Sequence, residues 1–418
     1  INGEEIYTNN TVTQVVPHNH KHVLANVHLA SHKEIKMACD SAVKAQEAWI
    51  NLGLEKRSKI FEKCADLLAT SWRMKINAST MLNQSKTVFQ AEIDAACELI
   101  DFWRFNSYYA NNFHDDLQPL VSPEGMLNTT EIRPLEGFIL AITPFNFTSI
   151  AANLPSAPAL VGCTSIWKPS RNSYYSNYMI MKLMMEAGLP PGVINFIPGS
   201  GAEITEVALS NPDFAGVHFT GSTAVFQGLW QRIAEALPNL KGYPRIVGET
   251  GGKDFIVAHS ECDQQGLLVA LLRGAFEYQG QKCSAASRAY IPESVWDAIG
   301  NDLVTEVEKI NIGDCKDFTN FMTSVIDQRA FDKITGYIQR AKDNKNCEIV
   351  VGGNSNQETG WFIQPTIIVT KDPMSESMVE EIFGPVLTIY VYDDNKFEET
   401  LKLCDESSPY ALTGAIFA

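Results

Sequence analysis

A single cysteine in a short polar segment has the surroundings of a nucleophile. Cys283 follows Gln279-Gly280-Gln281-Lys282 and precedes Ser284, between a helix-like stretch and a strand-like run. A nearby glycine permits close approach of a substrate, and the adjacent Lys282 can lower the pKa of the thiol, which is about 8.5 in a free cysteine. The alternative, open for any of the nine cysteines, is a buried structural residue. The setting makes Cys283 the best candidate for covalent catalysis.

A carboxylate after another strand-like run could act as a general base. Glu249 comes directly after residues 244–248 and just before the pair Gly251-Gly252. A glutamate at the C-terminal end of a strand can point into a cleft, where desolvation raises its pKa toward neutrality. The alternative is a turn carboxylate that pairs with Lys253.

A side-chain amide ends a third run. Asn146 lies in the segment Thr143-Pro144-Phe145-Asn146-Phe147. An amide in that place can donate a hydrogen bond to a developing oxyanion, an effect of about 10²–10³ in rate. The alternative is an asparagine in a turn that begins with proline.

Two further segments are suited to a phosphate or a ribose. Phe219-Thr220-Gly221-Ser222 opens a helix-like stretch, whose backbone N–H groups can bind a phosphate; the alternative is an ordinary helix with Ser222 as its N-cap. Lys168, in Trp167-Lys168-Pro169-Ser170, follows a strand, where ligands of parallel sheets collect; the alternative is a solvated surface lysine. The sequence has no complete G-x-G-x-x-G fingerprint, so these motifs by themselves do not establish a dinucleotide site.

Together the segments make a complete set for thiol-based oxidation of an aldehyde. The set contains a cysteine nucleophile, a carboxylate base, an amide donor and a helix start compatible with phosphate. Four of the five segments come just after strand-like runs, and the fifth follows a strand and a helix. In combination the five segments indicate this chemistry more strongly than any one of them does.

The elements that must position these residues alternate along the chain. Residues 33–105 are helix-like, with apolar side chains at three-to-four spacing, and residues 112–135 contain prolines and a glycine that predict an excursion from the domain. From residue 137, apolar runs and helix-like stretches alternate, which predicts parallel sheets with crossover helices. The first series has strands at 137–142, 163–167, 193–197 and 214–219 and helices at 149–162, 174–187, 202–210 and 223–236; the second has strands at 244–248, 254–258 and 287–291 and helices at 263–278 and 294–309.

Length and composition restrict the class of protein. The chain has 418 residues, 45% hydrophobic and 20% charged, which predicts two or three domains without long disorder. Its formal net charge of −16 argues against a nucleic-acid partner, which needs a cationic face. No apolar run approaches the roughly 20 residues of a membrane helix, so no membrane partner is expected. The nine scattered cysteines lack C-x-x-C, which indicates a reducing compartment with no disulfide framework and no zinc site.

This constellation resembles the NAD(P)-dependent aldehyde dehydrogenase superfamily. Within it, the chain is most similar to the Δ1-pyrroline-5-carboxylate dehydrogenase family, in the segments 98–106, 144–148, 275–284 and 409–415. Six segments match superfamily motifs in order and across most of the chain: Pro144-Phe145-Asn146, Trp167-Lys168-Pro169-Ser170, Phe219-Thr220-Gly221-Ser222, Glu249-x-Gly251-Gly252-Lys253, Gly280-Gln281-Lys282-Cys283 and Glu380-Glu381-Ile382-Phe383-Gly384-Pro385.

The resemblance implies an α/β protein with the aldehyde dehydrogenase fold. A Rossmann-like cofactor domain would occupy residues 1–243, with a protruding oligomerisation hairpin at about 115–133. An α/β catalytic domain, incomplete at its C-terminus, would occupy residues 244–418. The boundary also rests on the proline- and glycine-containing segment 237–244. A homodimer or higher homo-oligomer in the mitochondrial matrix is implied as well.

The resemblance also implies a reaction, the oxidation of L-glutamate γ-semialdehyde to L-glutamate in proline catabolism. Cys283 would attack the aldehyde to give a thiohemiacetal, with its oxyanion held by Asn146 and the backbone N–H of Cys283. After hydride transfer to the nicotinamide, Glu249 would activate the water that hydrolyses the thioester. A thioester divides one difficult step into two easier ones.

The same resemblance implies which residues bind the ligands. No metal is implied, the cofactor would be NAD, with NADP possible, and Lys282 and Glu98 would form a supporting pair in the site. The cofactor residues would be Lys168, Ser170, Gly221, Ser222, Glu381 and Phe383, and the substrate residues Ser284, Phe147, Lys282 and Glu98.

The sequence departs from the family pattern in two places. Arg171 stands where many relatives have an acidic residue that binds the ribose hydroxyls, and an arginine can pair with a 2′-phosphate. We therefore expect NADP to be tolerated better than in relatives. The chain also begins at Ile1 and stops at Ala418 inside a strand-like run, whereas relatives continue with a substrate-anchoring loop and a dimer-pairing strand. For these residues alone, weak substrate binding, impaired assembly or misfolding with an exposed sheet edge is expected.

Three other interpretations stay open from the sequence. The chain could act on a neutral aliphatic or aromatic aldehyde, which lacks the carboxylate and ammonium groups of the semialdehyde. It could be a non-catalytic relative, although the Cys283 and Glu249 that such a protein would be expected to lose are present. It could also be an inactive fragment.

Overall fold

A computed structural model describes residues 1–418, apart from the side chains of residues 114 and 115. The chain divides into two units. The first contains residues 1–14, 24–83 and 91–250, and the second contains residues 15–23, 84–90 and 251–418. Near the N-terminus, strands β1 (Thr11–Val16) and β2 (Asn19–His28) form a two-stranded sheet.

Helices dominate the chain as far as the first large sheet. The first helix begins with a capping box, in which Ser31 and Glu34 satisfy each other's backbone donors. A π-helical segment, Glu92–Cys97, interrupts the series directly before the fifth helix. None of the helices among the described residues combines the length and the hydropathy required to cross a membrane. The helices are α1 (His32–Asn51), α2 (Leu54–Ala69), α3 (Arg73–Gln84), α4 (Val88–Ala91) and α5 (Glu98–Asp116).

A five-stranded parallel sheet lies at the centre of the first unit. Its strands run in the order β5-β4-β3-β6-β7, so the chain order reverses between β3 and β6. Every residue of β3 is buried, as expected for a strand covered on both faces by crossover helices. The elements are β3 (Phe138–Ile142), α6 (Thr148–Leu160), β4 (Thr164–Lys168), α7 (Tyr174–Ala187), β5 (Ile194–Phe196), α8 (Gly201–Leu209), β6 (Phe214–Thr220), α9 (Thr223–Ala236) and β7 (Arg245–Glu249).

A six-stranded sheet organises the second unit, in the order β10-β13-β14-β9-β8-β15. Only the pair β10–β13 is antiparallel, and β11 and β12 form a separate two-stranded sheet. The strands are β8 (Phe255–Ala258), β9 (Arg288–Pro292), β10 (Cys347–Val351), β11 (Ser355–Asn356), β12 (Phe362–Ile363), β13 (Thr366–Thr370), β14 (Val386–Tyr392) and β15 (Gly414–Phe417). The helices are α10 (Gln264–Phe276), α11 (Glu293–Glu308), α12 (Gln328–Asp343), α13 (Glu376–Val379) and α14 (Phe397–Glu406).

The predicted alternation of strands and helices is confirmed, with α7 and α9 at the predicted bounds. One strand belongs to a different sheet from the one predicted. The run 244–248, assigned to the second series, is β7, and it pairs in parallel with β6 in the first sheet. Its residues are mostly exposed or half-buried, as in an edge strand, and backbone pairing rather than the apolar pattern decides which sheet an edge strand joins.

The predicted hairpin at 115–133 contains no strand among its described residues. The side chain of Gln118 instead connects the start of the segment to Thr130. Its amide N–H donates to the carbonyl of Thr130 at 3.1 Å, and its amide oxygen accepts from the N–H of Thr130 at 3.0 Å. Leu120, Val121 and Leu127 are exposed between these points. The prolines of the segment cannot donate to a strand ladder, which is consistent with the irregular backbone.

We predict that Gly137→Ala destabilises the first unit far more than Gly53→Ala does. Both glycines have positive φ, +110° and +83°, where an L side chain is strained by about 1–3 kcal/mol. A Cβ on Gly137 would lie 1.9 Å from the carbonyl oxygen of Asp213, whereas nothing lies within 4 Å of one on Gly53.

The midpoint of thermal unfolding measures the difference between these matched variants. The Gly137 variant is expected to show a clearly larger decrease, because the clash opposes the start of β3. Equal midpoints would contradict this account.

Candidate active site

The predicted site residues fall into two sets, one in each unit. The first unit holds the amide, the base and most of the cofactor residues, and the second holds the nucleophile and the residues near Glu381. The first set is Asn146, Phe147, Lys168, Ser170, Gly221, Ser222, Glu249 and Glu98, and the second is Cys283, Ser284, Lys282, Glu381 and Phe383.

Four positions of the first set lie at one edge of the parallel sheet. Asn146 follows β3, Lys168 ends β4, Gly221 follows β6 and Glu249 ends β7. Because β3 and β6 are neighbours at the reversal of strand order, the crevice for a ligand opens at their carboxyl ends. The structure therefore brings these positions to one edge, while their chemical roles stay predictions.

The loop that carries Asn146 is anchored to the neighbouring strand. The N–H of Thr143 donates to the carbonyl of Lys168 at 3.1 Å, and the indole N–H of Trp167 donates to the hydroxyl of Thr143 at 3.1 Å. Asn146 and Phe147 are buried, just before α6 begins at Thr148. An amide held in this way is preorganised for hydrogen bonding.

Lys168 presents a cation that has no hydrogen-bond partner among the described residues. Its side chain is half-buried, and burial lowers the pKa of Lys168 to about 8. Ser170, two residues on, accepts a hydrogen bond from the N–H of Asn172 and so caps a short 3₁₀ turn. A bound hydroxyl or phosphate could accept from the Lys168 ammonium.

The N-terminus of α9 is suited to an anion. Ser222 is the N-cap, yet its side chain makes no capping hydrogen bond. Among the described residues, the buried hydroxyl of Thr223 has no partner. The N–H of Gly221 is tied to the carbonyl of Glu249 at 3.2 Å, which fixes the turn. Uncapped N–H groups and an unpartnered hydroxyl at the start of a 14-residue helix fit the pyrophosphate of a dinucleotide.

Glu98 begins α5, directly after the π-helical segment. It is half-buried, and its carboxylate accepts a hydrogen bond from Ser149 at 2.6 Å. The π-helix was not predicted, because one extra residue in a turn leaves almost no trace in apolar spacing. Such bulges occur frequently at functional sites.

In the second unit, three consecutive left-handed residues precede Cys283. Tyr278, Gln279 and Gly280 have φ values of 50°, 55° and 65°. For the two non-glycine residues this conformation costs on the order of 1–3 kcal/mol each. Such strain persists only where surrounding contacts fix it, and it is concentrated at functional sites.

Buried hydrogen bonds supply those contacts. The side-chain amide of Gln279 donates to the carbonyl of Ser324 at 2.7 Å and to the hydroxyl of Thr323 at 3.0 Å, and it accepts from the N–H of Thr323 at 3.1 Å. The hydroxyl of Tyr278 donates to the carbonyl of Gln84 at 2.9 Å. A fully bonded buried amide has few alternative arrangements, so the backbone before the nucleophile is held in one conformation.

Cys283 lies in the turn that this segment introduces. It is half-buried and Ser284 is exposed. The ammonium of Lys282 is 4.0 Å from the carboxylate of Glu277 in the same unit. The predicted pair of Lys282 with Glu98 stays a prediction.

Glu381 is packed against two glycines. Its carboxylate accepts a hydrogen bond from the N–H of Gly252 at 3.0 Å, and burial raises its pKa. A Cβ on Gly251 would lie 2.5 and 2.7 Å from its two carboxylate oxygens, so only glycine allows this approach. The backbone of Phe383 is also left-handed, with a φ of 61°, although phenylalanine lacks the conformational freedom of glycine.

The burial of Lys253 was not predicted from the sequence. Its side chain is only 1% exposed, and its ammonium has no hydrogen-bond partner among the described residues. Burial, and next the charge of Arg288, lower the pKa of Lys253 to about 7. A lysine after two glycines is typical of an exposed turn, so the sequence contains no clear signal of its burial.

Comparisons with known proteins identify the family of the chain. Residues 6–418 match the sequence model described as the aldehyde dehydrogenase family. The chain is 51% identical over 420 residues to the mitochondrial Δ1-pyrroline-5-carboxylate dehydrogenase of Dictyostelium discoideum, and 49% identical over 419 residues to the Δ1-pyrroline-5-carboxylate dehydrogenase of Agaricus bisporus. All of this chain is aligned in both cases, with 75% and 76% of those relatives.

A solved structure is similar in three dimensions. The crystal structure of the Δ1-pyrroline-5-carboxylate dehydrogenase of Mycobacterium tuberculosis bound with NAD has a TM-score of 0.96 and 47% identity to this chain. The alignment covers 100% of this chain and 77% of that one. With a family match over nearly its whole length, this chain belongs to the aldehyde dehydrogenase family.

Proposed function

We propose that this protein oxidises L-glutamate γ-semialdehyde, which is in equilibrium with Δ1-pyrroline-5-carboxylate, to L-glutamate with NAD as hydride acceptor, in proline catabolism. The observation that carries the chemistry is the rigid left-handed segment Tyr278–Gly280, which leads directly to Cys283. The names of the similar proteins support the substrate.

The chemistry begins at the Cys283 thiolate, which forms a bond to the aldehyde carbon. The oxyanion of this adduct accepts hydrogen bonds from the Asn146 amide and the backbone N–H of Cys283. NAD, when bound, supplies the acceptor for the hydride. Glu249 takes a proton from a water molecule, whose oxygen attacks the resulting thioester and releases the Cys283 sulfur as the leaving group.

We assign binding of the cofactor to six residues. The ammonium of Lys168 and the hydroxyl of Ser170 suit the ribose, and Gly221 and Ser222 at the start of α9 suit the pyrophosphate. Glu381, held by the N–H of Gly252, would accept from ribose hydroxyls on the nicotinamide side, with Phe383 beside it. Most of these residues belong to the first unit, and Glu381, Phe383 and the proposed nucleophile Cys283 belong to the second.

Substrate recognition is assigned to polar groups near Cys283. The exposed hydroxyl of Ser284 would donate to the α-carboxylate of the semialdehyde. Phe147 would supply an apolar wall, and Lys282 and Glu98 would form the supporting pair. A substrate that carries both a carboxylate and an ammonium group requires such paired polar contacts.

Assembly and location complete the proposal. The exposed apolar side chains of Leu120, Val121 and Leu127 suit a subunit contact, because large exposed apolar patches mark interfaces. We propose a homodimer or higher homo-oligomer. The mitochondrial name of the Dictyostelium relative supports a mitochondrial location for this protein, and we propose the matrix.

One experiment tests the proposed nucleophile and the proposed substrate together. Wild-type protein is expected to form NADH with glutamate semialdehyde, and Cys283→Ala to lower kcat by at least ~10⁴-fold, as for the loss of other covalent nucleophiles. The matched control Cys347→Ala, also half-buried in the second unit, should retain the rate.

Propanal serves as the comparison substrate. Activity with propanal alone would keep the family chemistry and reject the semialdehyde as substrate. Full activity of Cys283→Ala would reject the nucleophile.

The base is tested by Glu249→Gln. Because hydride transfer precedes hydrolysis, this variant should release a rapid burst of NADH and then turn over about 10²–10⁴-fold more slowly than wild type. Stopped-flow absorbance measures both phases. Glu206→Gln, an exposed glutamate of the same unit, is the control. A variant with the wild-type steady-state rate would exclude Glu249 as base.

Cofactor choice is expected to depend on Arg171, whose side chain is exposed at the start of the turn after β4. A charge-assisted hydrogen bond to a 2′-phosphate contributes about 1.5–3 kcal/mol. Arg171→Asp should therefore lower kcat/KM with NADP about 10- to 100-fold relative to NAD. A preference of the wild-type protein for NAD by several hundredfold would contradict the role of Arg171.

A further inference from the structure

Three metal-ligating side chains meet in a cluster that the proposed reaction does not use. The Nε2 atom of His18 lies 3.4 Å from an oxygen of Asp314 and 3.5 Å from the sulfur of Cys315. The three ligand atoms all lie within 4.8 Å of one another. His18 and Cys315 are buried and Asp314 is half-buried. All three residues belong to the second unit.

The two distances measured from His18 agree with edges of a zinc tetrahedron. Zinc binds nitrogen at about 2.0–2.1 Å, carboxylate oxygen at about 2.0–2.2 Å and thiolate sulfur at about 2.3 Å. Tetrahedral angles then place nitrogen about 3.4 Å from oxygen and about 3.6 Å from sulfur. The observed separations of 3.4 and 3.5 Å would change little on binding of one ion.

The second nitrogen of His18 fixes the direction of the first. Its Nδ1 atom lies 2.8 Å from the hydroxyl oxygen of Ser85, which can accept the Nδ1 proton. In that tautomer the Nε2 lone pair points toward Asp314 and Cys315. An outer hydrogen bond of this kind orients most metal-binding histidines.

Backbone hydrogen bonds hold His18 in place. It lies in the turn between β1 and β2, and this turn is tied to the segment before β12. The N–H of His20 donates to the carbonyl of Thr359 at 2.8 Å, and the N–H of Trp361 donates to the carbonyl of Pro17 at 3.2 Å. The imidazole is therefore presented from a fixed backbone.

The loop after α11 presents the other two ligands. The side-chain amide of Asn320 donates to the carbonyl of Asp314 at 3.0 Å, and the N–H of Gly313 donates to the carbonyl of Met322 at 3.1 Å. The second carboxylate oxygen of Asp314 pairs with Lys316 at 3.1 Å. These bonds position the ligands before any ion is bound, which lowers the entropic cost of binding.

We propose that His18, Asp314 and Cys315 bind one zinc ion, with water as the fourth ligand on the half-exposed side of Asp314. A mixed nitrogen, sulfur and oxygen set favours zinc-class ions over magnesium or calcium, which prefer oxygen alone. The ion would join the β1–β2 turn to the loop after α11. Binding requires the thiolate, so the Cys315 S–H proton is released to solvent as the metal–sulfur bond forms.

This proposal departs from the sequence expectation of no zinc site. That expectation used the spacing of cysteines, whereas His18 and Cys315 are 297 positions apart. A ligand pair so distant along the chain gives no local motif.

Cobalt(II), which replaces zinc in tetrahedral sites and absorbs visible light, is the probe. Titration of the full chain should show one equivalent bound, with a thiolate-to-cobalt charge-transfer band that added zinc abolishes. Cys315→Ser should lose this band. Cys347→Ser and Cys283→Ser, which remove half-buried thiols elsewhere in the second unit, should keep it.

A second variant, Asp314→Asn, tests the site even if Cys315→Ser does not fold. Asp314→Asn should retain the charge-transfer band but weaken cobalt binding about 10- to 100-fold, with unchanged circular dichroism. Zinc should also raise the thermal midpoint of the wild-type protein and of Cys347→Ser, but not of a folded Cys315→Ser. Absence of stoichiometric binding, or a band that survives in Cys315→Ser or disappears in Cys283→Ser, would overturn the proposal. These readouts do not depend on dehydrogenase activity.

Discussion

Parallel strands joined by crossover helices present all their carboxyl ends at one edge of the sheet. In the first unit this constraint places the ends of β3, β4, β6 and β7 together, although they are spread from Ile142 to Glu249. Helix N-termini arrive at the same edge, so uncapped N–H groups and polar side chains gather there. The positions of Asn146, Lys168 and the proposed base Glu249 all depend on this arrangement.

In the second unit, the proposed nucleophile Cys283 follows an irregular segment rather than a strand. Left-handed Tyr278 and Gln279 are unfavourable by themselves. The buried amide of Gln279 offsets this cost with hydrogen bonds to Thr323 and Ser324. A polar group buried without partners would be strongly destabilising, so the network favours one backbone conformation before Cys283.

The buried polar groups of this unit differ in how far their hydrogen-bonding capacity is satisfied. Gln279 is fully bonded and serves as a scaffold. The ammonium of Lys253 has no hydrogen-bond partner among the described residues, and its lowered pKa reflects that burial. The Nε2 atom of His18 lies 3.5 Å from the sulfur of Cys315, a hydrogen-bonding distance for sulfur, and 3.4 Å from the carboxylate of Asp314. The proposed cation would bind all three.

Local chemistry determined much of this protein. The apolar spacing of α7 and α9 sets their bounds, and the segments around Asn146, Glu249 and Cys283 identify a thiol-based oxidation, because helix periodicity and side-chain types are properties of neighbouring residues. Only the tertiary structure decided the rest. The assignment of β7 to the first sheet, the strain at Tyr278, the burial of Lys253 and the meeting of His18 with Cys315 all depend on contacts between distant segments. Such contacts are set by packing and backbone pairing, which leave no periodic signal in the sequence.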